Sequence, residues 1–349
     1  MVEQITVGAR RIGGEEPVFV IAEAGSNHNG SYEQAIRLID VAAEAGVDAV
    51  KFQTFTASRM YPRTAGLSDY LNDSRSIYDI IEQMEMPDDW IPRLAAHCQQ
   101  RSIEFLSTPF DEVSADLLAP HVGVFKLASY EITHTPLVRH VARLGKPMIV
   151  STGTAELSEV LEAVATIREE GNEAIILCQC TAAYPAPPDQ LNLRAMVTLR
   201  DATGCLVGLS DHSRDPVLAP VLATALGASV LEKHVTLDNR LPGPDHVFAI
   251  EPNELKSLVT RIRIAEQMLG HGRKEALPVE QELHAFARRS IFTTRNIRAG
   301  EILNRESVAV LRCGKLGHGL APSEYERVLG RVAVRNLPVD SLVRLCDLD

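Results

Sequence analysis

Three consecutive stretches decide the fold: the apolar run Val18-Phe-Val-Ile-Ala22, the span from Ser31 to Gly46, and the run Val47-Asp-Ala-Val-Lys-Phe-Gln53. The first is short enough to be a buried strand. A loop of turn formers, Gly25-Ser-Asn-His-Asn-Gly30, follows it. Ser31 with Gln34 three residues on reads as a capping box, Ala35, Leu38, Ile39 and Ala42 keep helical spacing, and Gly46 supplies a stop. Strand, helix and strand on short connections imply a parallel pair with a right-handed crossover.

The alternation continues. Further strands are expected near 103–107, 122–127, 147–150, 174–178, 205–208 and 229–234. Helices are expected near 87–101, 111–118, 134–143, 157–170, 192–200, 214–225 and 252–268. This count within about 250 residues fits a (β/α)8 TIM barrel. A doubly wound sheet is the alternative, but the Gly-x-Gly-x-x-Gly turn that it usually places after its first strand is absent. The periodicity assigns 1–270 to the barrel and 271–284 to a charged, Pro-containing linker. It assigns 285–349, with short runs such as Ser290-Ile-Phe-Thr293 and Val308-Ala-Val-Leu311, to a small β-rich domain.

With 45% hydrophobic and 23% charged residues, the composition is that of a chain with a packed core. A net charge of -11 argues against a nucleic-acid partner, while leaving room for an anionic small substrate wherever a few lysines converge in a cleft. The six cysteines lack the dense spacing of a disulfide scaffold, and Cys178-x-Cys180 has no second pair, so reduced structural thiols are expected. No stretch approaches the ~20 apolar residues of a spanning helix, and the first residues carry no leader pattern. A cytoplasmic protein without a membrane partner is the expectation.

In a parallel barrel the reactive groups sit at the carboxyl ends of the strands. Here those ends carry Glu23, Lys51 with Gln53, Ser107-Thr108, Lys126, Ser151-Thr152, Thr181 and Tyr184, Ser210-Asp-His212, and His234. The period of two sends Lys51 with Gln53, Ser210 with His212, and Glu232 with His234 to common sides. Two lysines plus the hydroxyls of Ser107, Thr108, Ser129, Ser151 and Ser210 suit a ligand bearing phosphate and carboxylate. A buried lysine can also form a Schiff base, so a metal-free lysine aldolase stays open on the residues alone, as does a sugar-binding protein without activity. His212 and His234, with a carboxylate or water, could hold a divalent metal or serve as hydrogen-bonded structural residues.

The resemblance to a family rests on specific segments. Ile21-Ala-Glu-Ala-Gly25, Asn27-His-Asn-Gly30, Asp48-Ala-Val-Lys-Phe-Gln53, Ser107-Thr-Pro-Phe110, Lys126-Leu-Ala-Ser129, Ser151-Thr-Gly153, Tyr184-Pro185, Gly208-Leu-Ser-Asp-His212, Glu232-Lys-His234 and Gly243-Pro-Asp245 resemble the motifs of the sialic acid synthase family. Arg289-Ser-Ile291, Ile297-Arg-Ala-Gly-Glu301 and Arg312-Cys-Gly314 resemble its C-terminal antifreeze-protein-like (SAF) domain.

The resemblance implies condensation of phosphoenolpyruvate with an N-acetylated amino-sugar aldehyde. The acceptor would be N-acetylmannosamine, its 6-phosphate, or a diacetamido-trideoxyhexose leading to legionaminic acid. It further implies phosphoenolpyruvate contacts from Lys51, Thr108, Lys126, Ser129, Ser151 and Ser210. Mn2+, with Mg2+ or Co2+ as alternatives, would sit on His212 and His234, and Glu23 would orient or deprotonate a water. Gln53, Asn72, Glu131, Tyr184, Asp245 and Phe286 would line the sugar, and Arg312 would reach into the partner's site of a domain-swapped homodimer. Two departures stand out: Ala182 where the family usually has a small polar residue, and a lengthened loop over 312–319.

Overall fold

The computed structural model describes residues 3–67 and 74–349, which divide into two compact units, Met1–Gly270 and His271–Asp349. The first opens with an antiparallel hairpin, β1 (Ile5–Val7) and β2 (Arg10–Ile12). Eight strands follow: β3 (Phe19–Gly25), β4 (Ala49–Thr54), β5 (Glu104–Pro109), β6 (Phe125–Leu127), β7 (Met148–Ser151), β8 (Ile175–Cys180), β9 (Leu206–Asp211) and β10 (Val230–His234). They form one parallel sheet in the order β5-β4-β3-β10-β9-β8-β7-β6, and its two end strands, β5 and β6, lie side by side, curling the sheet into a nearly closed barrel. The expected TIM barrel is therefore observed. Helices such as Tyr32–Ala45, Leu157–Glu169 and Pro252–Leu269 return the chain between strands.

The first helix starts where Ser31 Oγ accepts the amide of Gln34 at 3.2 Å, and it stops at Gly46 with φ 84°. The return arm of the expected capping box is not made, because Gln34 Nε2 donates to Asn27 O at 2.6 Å and so ties the helix to the loop after β3.

Alternation along each strand separates two cores. Val20, Val50, Phe105, Phe125, Val150, Leu177 and Val207 face outward onto the helices. Phe19, Ile21, Ala49, Leu106, Val124, Ile149, Ile176 and Val230 face inward and fill the lower barrel, together with Ile5, Val7 and Ile12 of the hairpin. The hairpin thus plugs the amino-terminal end, a role that its three-residue strands did not advertise in the sequence. Above this apolar layer the inward positions turn polar.

The second unit pairs β11 (Arg289–Thr293) with β12 (Val308–Arg312) antiparallel around a core of Ile291, Ile297, Leu303, Val328, Leu337 and Val343. The segment expected to be a plain linker carries helical turns at Pro278–Glu280 and Gln281–Ala287.

Candidate active site

Two lysines and two carboxylates form a buried chain where the barrel interior turns polar. Lys51 Nζ lies 2.8 Å from Glu23 Oε2 and 3.9 Å from Glu232 Oε2, and it donates to Thr108 Oγ1 at 3.1 Å. Lys126 Nζ lies 3.6 Å from Glu232 Oε1 and donates to Ser151 Oγ at 2.7 Å. Ser151 Oγ and Ser210 Oγ share a hydrogen bond of 2.7 Å, and Ser210 donates onward to Glu232 at 3.3 Å. Gln53 Nε2 donates to Glu23 Oε1 at 2.9 Å, and Ser129 Oγ accepts the amide of Gly153 at 3.0 Å.

Strand pairing explains the convergence: Lys51 is opposite Glu23 on β3 and β4, Gln53 is opposite Thr108 on β4 and β5, and Ser210 is opposite Glu232 on β9 and β10. Ser107 is not part of the chain. One residue before Thr108, it faces the other side of β5 and shares a 2.7 Å hydrogen bond with Thr54.

The two carboxylates are driven apart electrically. Burial alone would raise Glu232, but Lys126 and Lys51 hold it below the ordinary carboxylate value. Glu23 is raised, by burial first and by the neighbouring Glu232 charge, against the pull of Lys51. Its Oε2, like that of Glu232, has no aligned hydrogen bond despite the nearby lysine. Lys51 is held cationic by Glu23 and Glu232 against the cost of burial, which ill suits it to imine formation, since that needs the neutral amine.

The two histidines sit above this floor with ring centroids 5.2 Å apart. His212 Nδ1 pairs with Thr181 O at 2.9 Å, so Nδ1 carries the proton and Nε2 keeps its lone pair. Burial and the neighbouring His234 lower His212 to about 3, leaving a neutral imidazole. His234 Nδ1 is 3.4 Å from Asp245 Oδ2, is otherwise without a hydrogen-bond partner, and is raised by that carboxylate against the effect of burial. Among the described residues no group of three or more His, Cys, Asp or Glu side chains is spaced to hold a metal. The pair of imidazoles, one with a fixed tautomer and one with an orphaned nitrogen, fits one face of a borderline divalent ion.

Floor and histidines line a cavity of about 660 Å3 together with Gln53, Thr108, Ser129, Tyr184 and Asp245. Glu131 is not among its lining residues; it belongs to a helical turn, Ser129–Thr133, and burial raises it. Asn72 lies outside the described residues. Phe286 and Arg312 belong to the second unit, Arg312 at the end of β12, and both are exposed. Sequence reasoning placed Glu232 only near the histidines. Its inward register beside Ser210 was the signal that it would meet both lysines. The cavity also has an apolar wall of Met60, Ile80, Ile81 and Met84, from two short helices after β4, Ala57–Met60 and Ile77–Met84, which the sequence did not announce.

A model of the family described as "NeuB family" matches residues 38–274, and a model of the SAF domain matches 288–349. The chain is 46% identical over 352 residues to the spore coat polysaccharide biosynthesis protein SpsE of Bacillus subtilis (strain 168), covering 96% of this chain and 94% of that protein. It is 39% identical over 333 residues to the N,N'-diacetyllegionaminic acid synthase of Campylobacter jejuni, covering 93% and 98%. The crystal structure of the N-acetylneuraminic acid synthetase of Leptospira borgpetersenii in complex with citrate superposes with a TM-score of 0.73 at 35% identity, covering 80% of this chain and 95% of that one. The chain therefore belongs to the NeuB family, is an enzyme of its carbon–carbon bond-forming synthase type, and carries a SAF domain after its barrel.

Proposed function

We propose that the barrel joins phosphoenolpyruvate to the open-chain aldehyde of an N-acylated amino sugar, with C–O cleavage and release of inorganic phosphate. The observation that carries this reading is the floor, where two buried lysines and the hydroxyls of Thr108, Ser151 and Ser210 surround one small volume. That set suits a compact ligand bearing both phosphate and carboxylate. Within the chain the lysines pair with Glu23 and Glu232. Bound phosphoenolpyruvate would share them.

The enol carbon C3 forms a bond to the aldehyde carbon, the aldehyde oxygen takes up a proton, and positive charge develops at C2. Water adds to C2 and gives up a proton. The C2–O bond to phosphate then breaks, its electron pair leaving with inorganic phosphate, and the C2 hydroxyl loses its proton to become the ketone. Glu23, raised by burial and hydrogen-bonded by Gln53, would accept the proton of the attacking water. His212 and His234 would hold the divalent ion, Mn2+ first, with Mg2+ or Co2+ as alternatives; when bound it supplies Lewis-acid polarisation of the aldehyde oxygen. Tyr184, its ring 4.2 Å from that of His212, and Asp245, beside His234, would border the sugar.

The exposed Phe286 and Arg312 are assigned to the sugar side of a partner's site in a domain-swapped homodimer. Mixing Glu23→Ala chains with Arg312→Ala chains would restore activity through one intact site per mixed dimer. No recovery despite subunit exchange would remove that assignment.

The direct experiment is phosphate release from phosphoenolpyruvate with a panel of hexosamines, with and without a chelator. Release that requires both acceptor and metal supports the reading. Inactivation by borohydride in the presence of substrate, with no effect of the chelator, would replace it with an imine mechanism.

A further inference from the structure

The two histidines are held by different means. His234 is the last residue of β10 and still pairs with Glu23 of β3, and its carbonyl accepts the Ile250 amide at 2.9 Å. His212 lies one residue past the end of β9, and residues 212–217 belong to neither strand nor helix. The ladder between β9 and β10 runs out at Asp211 opposite Lys233, one position before both rings. Sheet hydrogen bonds therefore fix one imidazole and not the other.

The side chain of Lys233 takes over where the ladder stops. Its ammonium meets Asp211 Oδ2 at 2.6 Å, Ser213 O at 2.5 Å, Asp215 O at 2.9 Å and Ser213 Oγ at 3.3 Å, so three donors face four acceptors. Asp211 Oδ1 accepts the Ser213 amide at 2.8 Å, and the chain from 211 to 215, with His212 in its span, wraps the ammonium. Asp215 Oδ1 in turn accepts the amides of Val217 and Leu218 at 2.8 and 2.7 Å and joins this loop to the next helix, Leu218–Ala225.

A buried ammonium needs acceptors from somewhere. Here every one of them comes from a residue within three positions of His212. On its other side His212 is held from the connection after β8, where Thr181 O pairs with Nδ1 and the Ala186 amide donates to the His212 carbonyl, each at 2.9 Å. Those contacts orient the ring against a loop. The lysine ties it to the strand that bears His234.

We propose that Lys233 is a positioning residue for the divalent ion: by bracing Asp211, Ser213 and Asp215 it fixes the backbone of His212 at the spacing from His234 that binding by both imidazoles requires. Lys233 itself points to the outer face and is not among the residues lining the cavity. This rests on the assignment of the ion to His212 and His234 in the proposed function.

The test is Mn2+ binding to the metal-free full chain, followed by the electron paramagnetic resonance signal of the free ion, with the KM for phosphoenolpyruvate measured at saturating Mn2+ beside it. Lys233→Met should weaken Mn2+ binding by about ten- to hundredfold, the range for loss of an outer contact that orients a metal ligand. The KM for phosphoenolpyruvate, set by the floor, should not move. Because the single change also destabilises the fold, the second variant combines Lys233→Met with Asp211→Leu, which removes the unpaired carboxylate and should raise the denaturation midpoint above that of Lys233→Met alone. Its Mn2+ affinity should nevertheless stay as low. Wild-type affinity in either folded variant, or recovery of affinity in step with stability in the double variant, would overturn the inference and leave the metal assignment standing. Mn2+ binding that His212→Ala leaves unchanged would remove the metal assignment and the inference with it.

Discussion

The two faces of β9 and β10 treat buried charge differently. On the outer face Lys233 Nζ meets Asp211 Oδ2 at 2.6 Å and donates to Ser213 O at 2.5 Å and Asp215 O at 2.9 Å, so the ammonium is fully coordinated. On the inner face, one residue away along each strand, Glu232 Oε2 and His234 Nδ1 lack hydrogen-bond partners, as does Glu23 Oε2 on β3. Both faces are buried, so exposure does not separate them. A charge that holds strands together is saturated within the chain, whereas a charge kept for a ligand is left with capacity to spare.

The outer pair offers the largest effect. Lys233→Met leaves Asp211 charged in a nearly anhydrous place, with exposures of 3% and 1% for the pair, and should cost about 3–5 kcal/mol of stability. Chemical denaturation measures it, and a loss below about 1 kcal/mol would equate the two faces. The folded fraction should keep its KM for phosphoenolpyruvate.

His28, buried beyond the end of β3, sharpens the contrast through pH. Its Nδ1 accepts the Gly30 amide at 3.1 Å, and burial lowers it to about 4 from 6.5. The unfolded chain therefore binds a proton between those values that the folded chain refuses. Stability is full above pH 6.5 and falls by about 1 kcal/mol per pH unit as pH drops toward 4. His28→Gln should flatten that slope; an unchanged slope would show that other groups produce it.

On the inner face Lys126→Met should raise the KM for phosphoenolpyruvate ten- to hundredfold, the loss of a charge-assisted contact worth about 1.5–3 kcal/mol. Ser107→Ala, on the outward side of β5, is the smallest change and should leave that KM as it is. An equal effect of both substitutions would contradict the parity on which the site is built.

Much of this was legible before the fold. The period of two predicted that Lys51 with Gln53, Ser210 with His212, and Glu232 with His234 would share sides, and all six line the cavity, His212 from just beyond the end of β9. Ser107 and Thr108 are adjacent, so the same period sends them to opposite sides of β5, and only Thr108 reaches Lys51. Glu232 was read beside the histidines alone, since its approach to Lys51 and Lys126 depends on barrel curvature that brings β4, β6 and β10 together. The hairpin plug and the apolar wall were invisible for another reason. Three- and four-residue elements such as Ile5–Val7 and Ala57–Met60 are too short to show a period, and tertiary packing alone defines them.

The central claim is that the inner-face groups direct phosphoenolpyruvate through C–O rather than P–O cleavage. Phosphoenolpyruvate labelled with heavy oxygen at the bridging enol position tests it in a single turnover mixture with acceptor and Mn2+. The account predicts the label in released inorganic phosphate. Label retained in the keto group of the sugar acid, with none in phosphate, would contradict it.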